Sequence, residues 1–373
     1  MSISKTIATI LAAGALSACA PRTGTSILDF HPRREVKALL GQASQDPNSV
    51  TLLHFTDLHG YTPNLERVAE FYDAYDDLID DAIHAGDAVS CYWSDPNGWD
   101  EVPAARRILS TVGNHDCWKG FKVWAETDVP YDAAEEDVWQ TIMVGKDPER
   151  PFWKEWGVTR PEGADDPSDP RHFACYYYKD YTDAGVRLIV LDALHYYAGN
   201  AQDGWFAGIL ADALASGLQV VTVQHYTPQN GLEYLECGFS PVDDWDMAVE
   251  NPDVPQIEAM RDAFFCRVDE FIAAGGIYVC SLCGHTHTDA VGYPKGHLPQ
   301  LQIVAEKAGE FDIYMKEPRE IGTPTQDAFN LITINPESGT LVLNRIGSCT
   351  DELGRSKRQL VYDYFSGRLV KSE

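Results

Sequence analysis

Positive charge is what this 373-residue sequence has least of: 29 Lys and Arg stand against 57 Asp and Glu, a formal net charge of −28 at pH 7. Such a surface repels polyanions at long range, which sets polymeric nucleic acid aside as a substrate or partner. Long apolar runs are missing as well. The stretch Ile7 to Leu16 is too short to cross a bilayer, which takes about 20 residues. No internal repeat is present, so the stacked units of a solenoid or propeller are excluded. A second cysteine pair is also lacking. Cys280-x-x-Cys283 stands alone, without the partner pair of a four-thiolate zinc site or a thioredoxin-like context, and is read as neither metal-binding nor redox-active.

What the sequence does have is core and chemistry. At 44% hydrophobic it can fill one large domain. Five polar blocks follow one another along it: Asp57-Leu58-His59, Gly86-Asp87, Gly113-Asn114-His115-Asp116, His225 and Gly284-His285-Thr286-His287. Most of them close an apolar run, namely 50–55, 108–112, 218–223 and 277–280, and such runs read as buried strands. The lead-in to Asp87, Ala82 to Ala85, is weaker. Polar groups just past the carboxyl ends of buried strands are where an α/β sheet offers a reaction site.

Carboxylate, amide oxygen and imidazole together form a mixed N/O donor set, which suits Mn, Fe or Zn rather than Ca, Mg or Cu(I). A carboxylate such as Asp87 can bridge two ions about 3.5–4 Å apart, the separation at which a metal pair stabilises both oxygens of a displacement. Two carboxylates leave two divalent or trivalent ions with net positive charge. That charge attracts a phosphoryl group and brings bound water toward hydroxide near neutral pH.

The order D-x-H, GD, GNH, H, GHxH resembles that of the calcineurin-like metallophosphoesterases, over roughly residues 50 to 290. The resemblance implies a four-layer α/β/β/α sandwich forming a single catalytic domain. It implies one ion on Asp57, His59, Asp87 and His287, and another on Asp87, Asn114, His225 and His285. His115 then looks like the histidine that contacts phosphate and assists the leaving group, with Asp116 orienting its imidazole. Where the family often has Asp or Asn three residues after its Gly-Asp aspartate, this chain has Ser90. The expected activity is hydrolysis of a small phosphate ester, monoester or diester. Residues 53–60 also look like the opening of secreted 5′-nucleotidases, but the 86 residues after His287 leave little room for that family's second domain. Nucleotidase-like or cyclic-nucleotide phosphodiesterase activity is the alternative, and a non-catalytic surface binding protein is the alternative of another class. His31, His54, His84, His172, His195 and His297 carry no such pattern and read as core or surface histidines.

At the N-terminus, Lys5 and the apolar stretch lead into Leu16-Ser17-Ala18-Cys19, which resembles a bacterial lipoprotein cleavage box. The expectation is a signal peptide over 1–18, an acylated Cys19 anchoring an exported protein to a membrane, a tether over 19–48 and a catalytic domain over 49–373. An ordinary secreted protein cut near Ala18 is the alternative. Helices are expected over 63–79, 131–143, 203–216 and 254–274, hairpins around Thr182–Gly185 and Pro336–Gly339, and loops over 91–103, 145–171 and 228–253. Trp93, Trp99, Trp118 and Tyr226 follow the blocks closely enough to wall a pocket or pack its loops.

Overall fold

The computed structural model describes residues 26–41, 46–88, 108–117, 156–192, 199–226, 232–237, 254–287, 289–294, 300–305, 308, 319–348 and 358–372. The apolar run at 50–55 forms β1 (Val50–Phe55), buried along its whole length as a central strand covered on both faces must be. After it come β2 (Asp81–His84), β3 (Leu109–Ser110), β4 (Tyr177–Tyr181), β5 (Val186–Val190), β6 (Gln219–Val223) and β7 (Leu232–Cys237). The remaining strands are β8 (Tyr278–Cys283), β9 (Ala290–Pro294), β10 (Gln302–Val304), β11 (Ala328–Asn335), β12 (Thr340–Gly347), β13 (Gln359–Asp363) and β14 (Arg368–Ser372).

These strands make two mixed sheets of seven, ordered β14-β13-β12-β11-β1-β2-β3 and β4-β5-β6-β8-β10-β9-β7. In the first, β1, β2 and β3 are parallel neighbours; in the second, β5, β6 and β8 are. The sheets face each other and are stitched by buried polar contacts. Asp81 receives hydrogen bonds from Lys179 at 2.9 Å and Tyr181 at 2.6 Å, and Tyr364 donates to Gln219 at 2.6 Å.

The helices are α1 (Ile27–Phe30), α2 (Arg33–Leu40), α3 (Thr62–Ala74), α4 (Asn114–Cys117), α5 (Ala201–Ser216) and α6 (Val254–Ala273). On the outer side of the first sheet, α3 sets Phe71 edge-on against Phe329 of β11, with ring centroids 4.9 Å apart. Side by side, α5 and α6 cover the second sheet. The result is a four-layer α/β/β/α sandwich around one continuous core. Among the described residues, no helix is long and apolar enough to cross a membrane.

Three expectations change. The helix expected over 63–79 stops at Ala74. Asp76 and Asp77 would sit at the negative end of its dipole, and Asp77 pairs instead with Arg33 of α2. The segment 228–253 contains β7, an edge strand paired antiparallel with β9, whose Leu-Glu-Tyr-Leu-Glu-Cys lacks clean alternation. The tether expected over 19–48 is folded between residues 27 and 40. There α1 and α2 bury Ile27, Val36 and Leu40, and Tyr75 Oη donates to His31 O at 2.5 Å. The signal peptide, Cys19, the loop at 91–103 and the helix expected over 131–143 lie outside the described residues. Both expected hairpins are present, as β4–β5 and β11–β12.

Candidate metal centre

Each block sits just past a strand. Asp57 and His59 follow β1, Asp87 follows β2, and Asn114 and His115 open α4 after β3. His225 follows β6, while His285 and His287 follow β8. Because β1, β2 and β3 run parallel in one sheet, as β6 and β8 do in the other, these carboxyl ends share a rim where the two sheets meet. The rim loops are laced together: Asp57 N–H donates to Gly86 O at 3.0 Å, and His59 N–H to Asp87 O at 2.9 Å.

The structure brings Asp57, His59, Asp87, Asn114, His115, His225, His285 and His287 into one cluster. Asp57 Oδ1 lies 3.4 Å from His287 Nε2 and 3.6 Å from His59 Nε2. Asn114 Oδ1 lies 2.9 Å from both His225 Nε2 and His285 Nδ1. Between these groups stands Asp87 Oδ2, 3.6 Å from His59 Nε2 on one side and 3.3 Å from His225 Nε2 on the other. Two groups of donor atoms within 4.8 Å of one another follow, Asp57, His59, His287 and Asp87, His225, His285. A third group, His59, Asp87 and His115, overlaps the first two. His115 stands at its outer side, partly exposed, with Nε2 3.9 Å from Asp87 Oδ2 and its ring edge-on to that of His59.

The donor set fits cations. Asp57 Oδ2 is held by Thr56 Oγ1 at 2.7 Å and His285 N–H at 3.0 Å, while Oδ1, fully buried, has no hydrogen-bond partner and faces His59 and His287. A bare buried carboxylate oxygen is costly without a positive partner. His225 Nδ1 lies 2.8 Å from Ala85 O and so carries a proton, which leaves Nε2 as the working nitrogen. Burial opposes charge on His225, but Asp87 outweighs it and raises the imidazole to about 9. Burial likewise works against ionised Asp57 and Asp87, yet the neighbouring histidines, His287 for Asp57 and His225 for Asp87, hold both well below the usual carboxylate range. His285, buried and next to His225, is pushed down to about 3 and stays neutral.

The backbone is bent to make this cluster. Among the described residues, the non-glycine residues with positive φ are Asp57, His59, Asp87, His285 and His287, at 54°, 49°, 58°, 73° and 61°. All five belong to the blocks. Such left-handed backbone costs about 1–3 kcal/mol per residue and persists where surrounding contacts over-determine it. Two motif glycines are required by close approach: a Cβ on Gly113 would overlap the Asp87 carboxylate and backbone nitrogen, and one on Gly284 would overlap the Thr56 hydroxyl.

Other residues serve the cluster from behind. Asp116 Oδ2 accepts N–H bonds from Asp87 at 3.0 Å and Gly113 at 2.8 Å, locking the β2 loop to the β3 loop. Thr56, whose hydroxyl decides which Asp57 oxygen is bare, was not singled out by the sequence; its place directly before Asp57 was the available signal. Tyr226 packs its ring edge-on against His285 at 4.7 Å. Trp93, Trp99, Trp118, Ser90, His195 and His297 lie outside the described residues. His54 and His84 are buried strand residues pushed down to about 3 by burial, and His172 bonds Ala164 O at 2.9 Å. Cys280 and Cys283 are buried within β8, where the Cys283 thiol donates to Gln302 Oε1 at 3.4 Å.

Fold and site together are an α/β/β/α sandwich whose two sheets share one rim, with a cluster of carboxylate, amide and imidazole donors set along it. No protein-family model matches the chain, and no curated protein matches it by sequence. Among solved structures, a dimetal phosphatase from Danio rerio is similar at 10% identity and a TM-score of 0.47, over 84% of this chain and 99% of that one. The Plasmodium protein GAP50, described as the anchor in the inner membrane complex, is similar at 9% identity and a TM-score of 0.40, over 83% and 87% of the two chains.

Proposed function

We propose that this chain is an exported phosphoesterase that hydrolyses small phosphate esters with two transition-metal ions, Mn, Fe or Zn. The observation that carries this reading is Asp87 Oδ2, set between His59 Nε2 and His225 Nε2 so that one carboxylate faces both halves of the donor cluster. Asp57, His59 and His287 would hold one ion and Asn114, His225 and His285 the other, with Asp87 shared. Ions bound there supply Lewis-acid charge to the phosphoryl oxygens and lower the pKa of water toward neutrality.

The chain's own groups do the rest. Asp57 and Asp87 stay ionised across the working pH range, and His225 keeps Nε2 aimed inward through its bond to Ala85 O. His115, at the open side of the cluster, is placed to give a proton from its ring to the departing oxygen. Inductively coupled plasma analysis of the purified protein should find close to two ions per chain. A panel of phosphate monoesters and diesters, assayed with Mn, Fe or Zn supplied, should show turnover and separate the two ester classes. No bound metal after reconstitution with Mn and Zn would sink the reading.

Export and anchoring form the second part of the proposal, supported by the Leu16-Ser17-Ala18-Cys19 box. Acylation of Cys19 would anchor the chain by burying methylenes at roughly 0.8 kcal/mol each. Cys19→Ala should release active protein from membranes into the soluble exported fraction, as fractionation and activity assay would show. A variant that is exported and processed yet stays membrane-bound would overturn the anchor.

A further inference from the structure

The loop that carries His285 and His287 is held at both ends. At its front, Gly284 N–H donates to His225 O and His285 N–H to Asp57 Oδ2, each at 3.0 Å. At its rear, Asp289 meets Arg345 of β12: Oδ1 lies 3.3 Å from Nε, and both side chains are buried. Arg345 stands in one cross-strand row of the first sheet with Asn330 of β11 and His54 of β1. Asp289 belongs to the lead-in of β9 in the second sheet. The pair therefore bridges the same two sheets whose rims supply the metal ligands.

Buried ion pairs are poor space-fillers, because apolar residues of similar volume serve stability equally well. What this pair adds is a fixed point two residues beyond His287. His285 and His287 both hold left-handed backbone, which lasts only where contacts on each side impose it. His285 has such contacts in its own N–H bond to Asp57, its Nδ1 beside Asn114 Oδ1 and its ring against Tyr226. Among the described residues, the next after His287 is Asp289, and it is fixed to the other sheet through Arg345.

We propose that Arg345 is a positioning residue for the metal centre: through Asp289 it keeps His287 aimed at Asp57, and so sets affinity on the Asp57, His59, His287 side but not on the Asn114, His225, His285 side. This rests on the two-metal reading above. Metal-stripped protein titrated with Co(II), followed by visible absorption and calorimetric stoichiometry, reads the two sides apart. The wild type should bind two ions. The double variant Asp289→Leu, Arg345→Met, which removes both charges and keeps the core filled, should hold one ion at wild-type affinity and the other roughly 10–100-fold more weakly. Both affinities unchanged, or both lowered alike, overturns the inference; a wild type that binds no ion overturns the metal reading instead. If circular dichroism shows the double variant unfolded, Asp289→Asn, which keeps the side-chain shape, is titrated under the same criterion.

Discussion

Asp87 and His115 sit one hydrogen bond apart, His115 N–H to Asp87 Oδ1 at 2.8 Å, yet they should fail in different ways when removed. Asp87→Ala takes away the oxygen that faces both halves of the cluster, so metal content and activity should fall together. His115→Ala removes a partly exposed ring at the margin. Metal content should stay, while hydrolysis slows by roughly 10²–10⁴-fold, the range of a placed general acid. That loss should shrink for p-nitrophenyl phosphate, whose leaving group needs little protonation; equal losses for alkyl and activated esters would end the general-acid role. A pH dependence belongs to the same scale. His225 is raised to about 9, so below that value an incoming ion must displace its proton. Affinity for Zn(II) between pH 6 and 8 should therefore rise with pH, since the His225 proton leaves as the ion enters. Competition titrations with a chelator of known affinity would measure the slope, and a flat profile would contradict it.

Among the elements, the short N-terminal helices make the sharpest prediction. Arg67 of α3 holds Asp327 at 2.7 and 2.8 Å in a buried fork, beneath the Phe30 ring of α1 and with His31 Nε2 3.7 Å away. Burial alone would raise the Asp327 carboxyl, but Arg67 and then His31 outweigh it and hold it below its ordinary value. Its stabilising contribution is thus complete above the unfolded carboxylate pKa, about 3.9, and is lost as pH falls through the lower folded value. Arg67→Met strips the buried carboxylate of its forked partner, leaving His31 at 3.7 Å, and should cost about 3–5 kcal/mol near neutral pH. The gap between variant and wild-type urea midpoints should narrow as pH drops below 4, where protonation relieves the stranded carboxylate. A gap constant with pH would mean that packing, not charge, sets the loss.

The same helices show what was legible beforehand. β1, β6 and β8 announce themselves as apolar runs ending in a metal-type residue, and α5 carries its own start and stop signals, an Asn200 N-cap and Gly217 in left-handed conformation. By contrast, α1 and α2 total only a few turns around Pro32, so their apolar residues are too few to stand out from a linker. The edge strand β7, Leu-Glu-Tyr-Leu-Glu-Cys, has no apolar run or clean alternation in its sequence to betray it. At the site, the residues that cluster could be read from their types in order. The bare Asp57 oxygen and the Arg345–Asp289 bridge could not, because each joins segments far apart in sequence.

At the scale of the molecule, the cluster draws on two sheets, and ions held there should fasten one sheet to the other. Stripping the metal should lower the melting temperature of the whole domain rather than loosen one loop. Each ion present at a hundredfold excess over its Kd contributes about 2.7 kcal/mol, so calorimetry before and after chelation would show a single transition moving down. A transition that stays in place would mean the sheets hold their docking unaided.

His59 and His287, whose ring nitrogens lie 3.2 Å apart, are 228 residues apart in the chain. Pairing at such a separation comes late, since the chain must close its long loops before those contacts reward it. No half-made chain owns a complete donor set. Ions would thus enter the centre only after folding is finished, from whatever surrounds the chain at that moment. Because donor chemistry ranks Zn above Mn or Fe at equilibrium, the place where folding ends, more than the ligands, would select the metal.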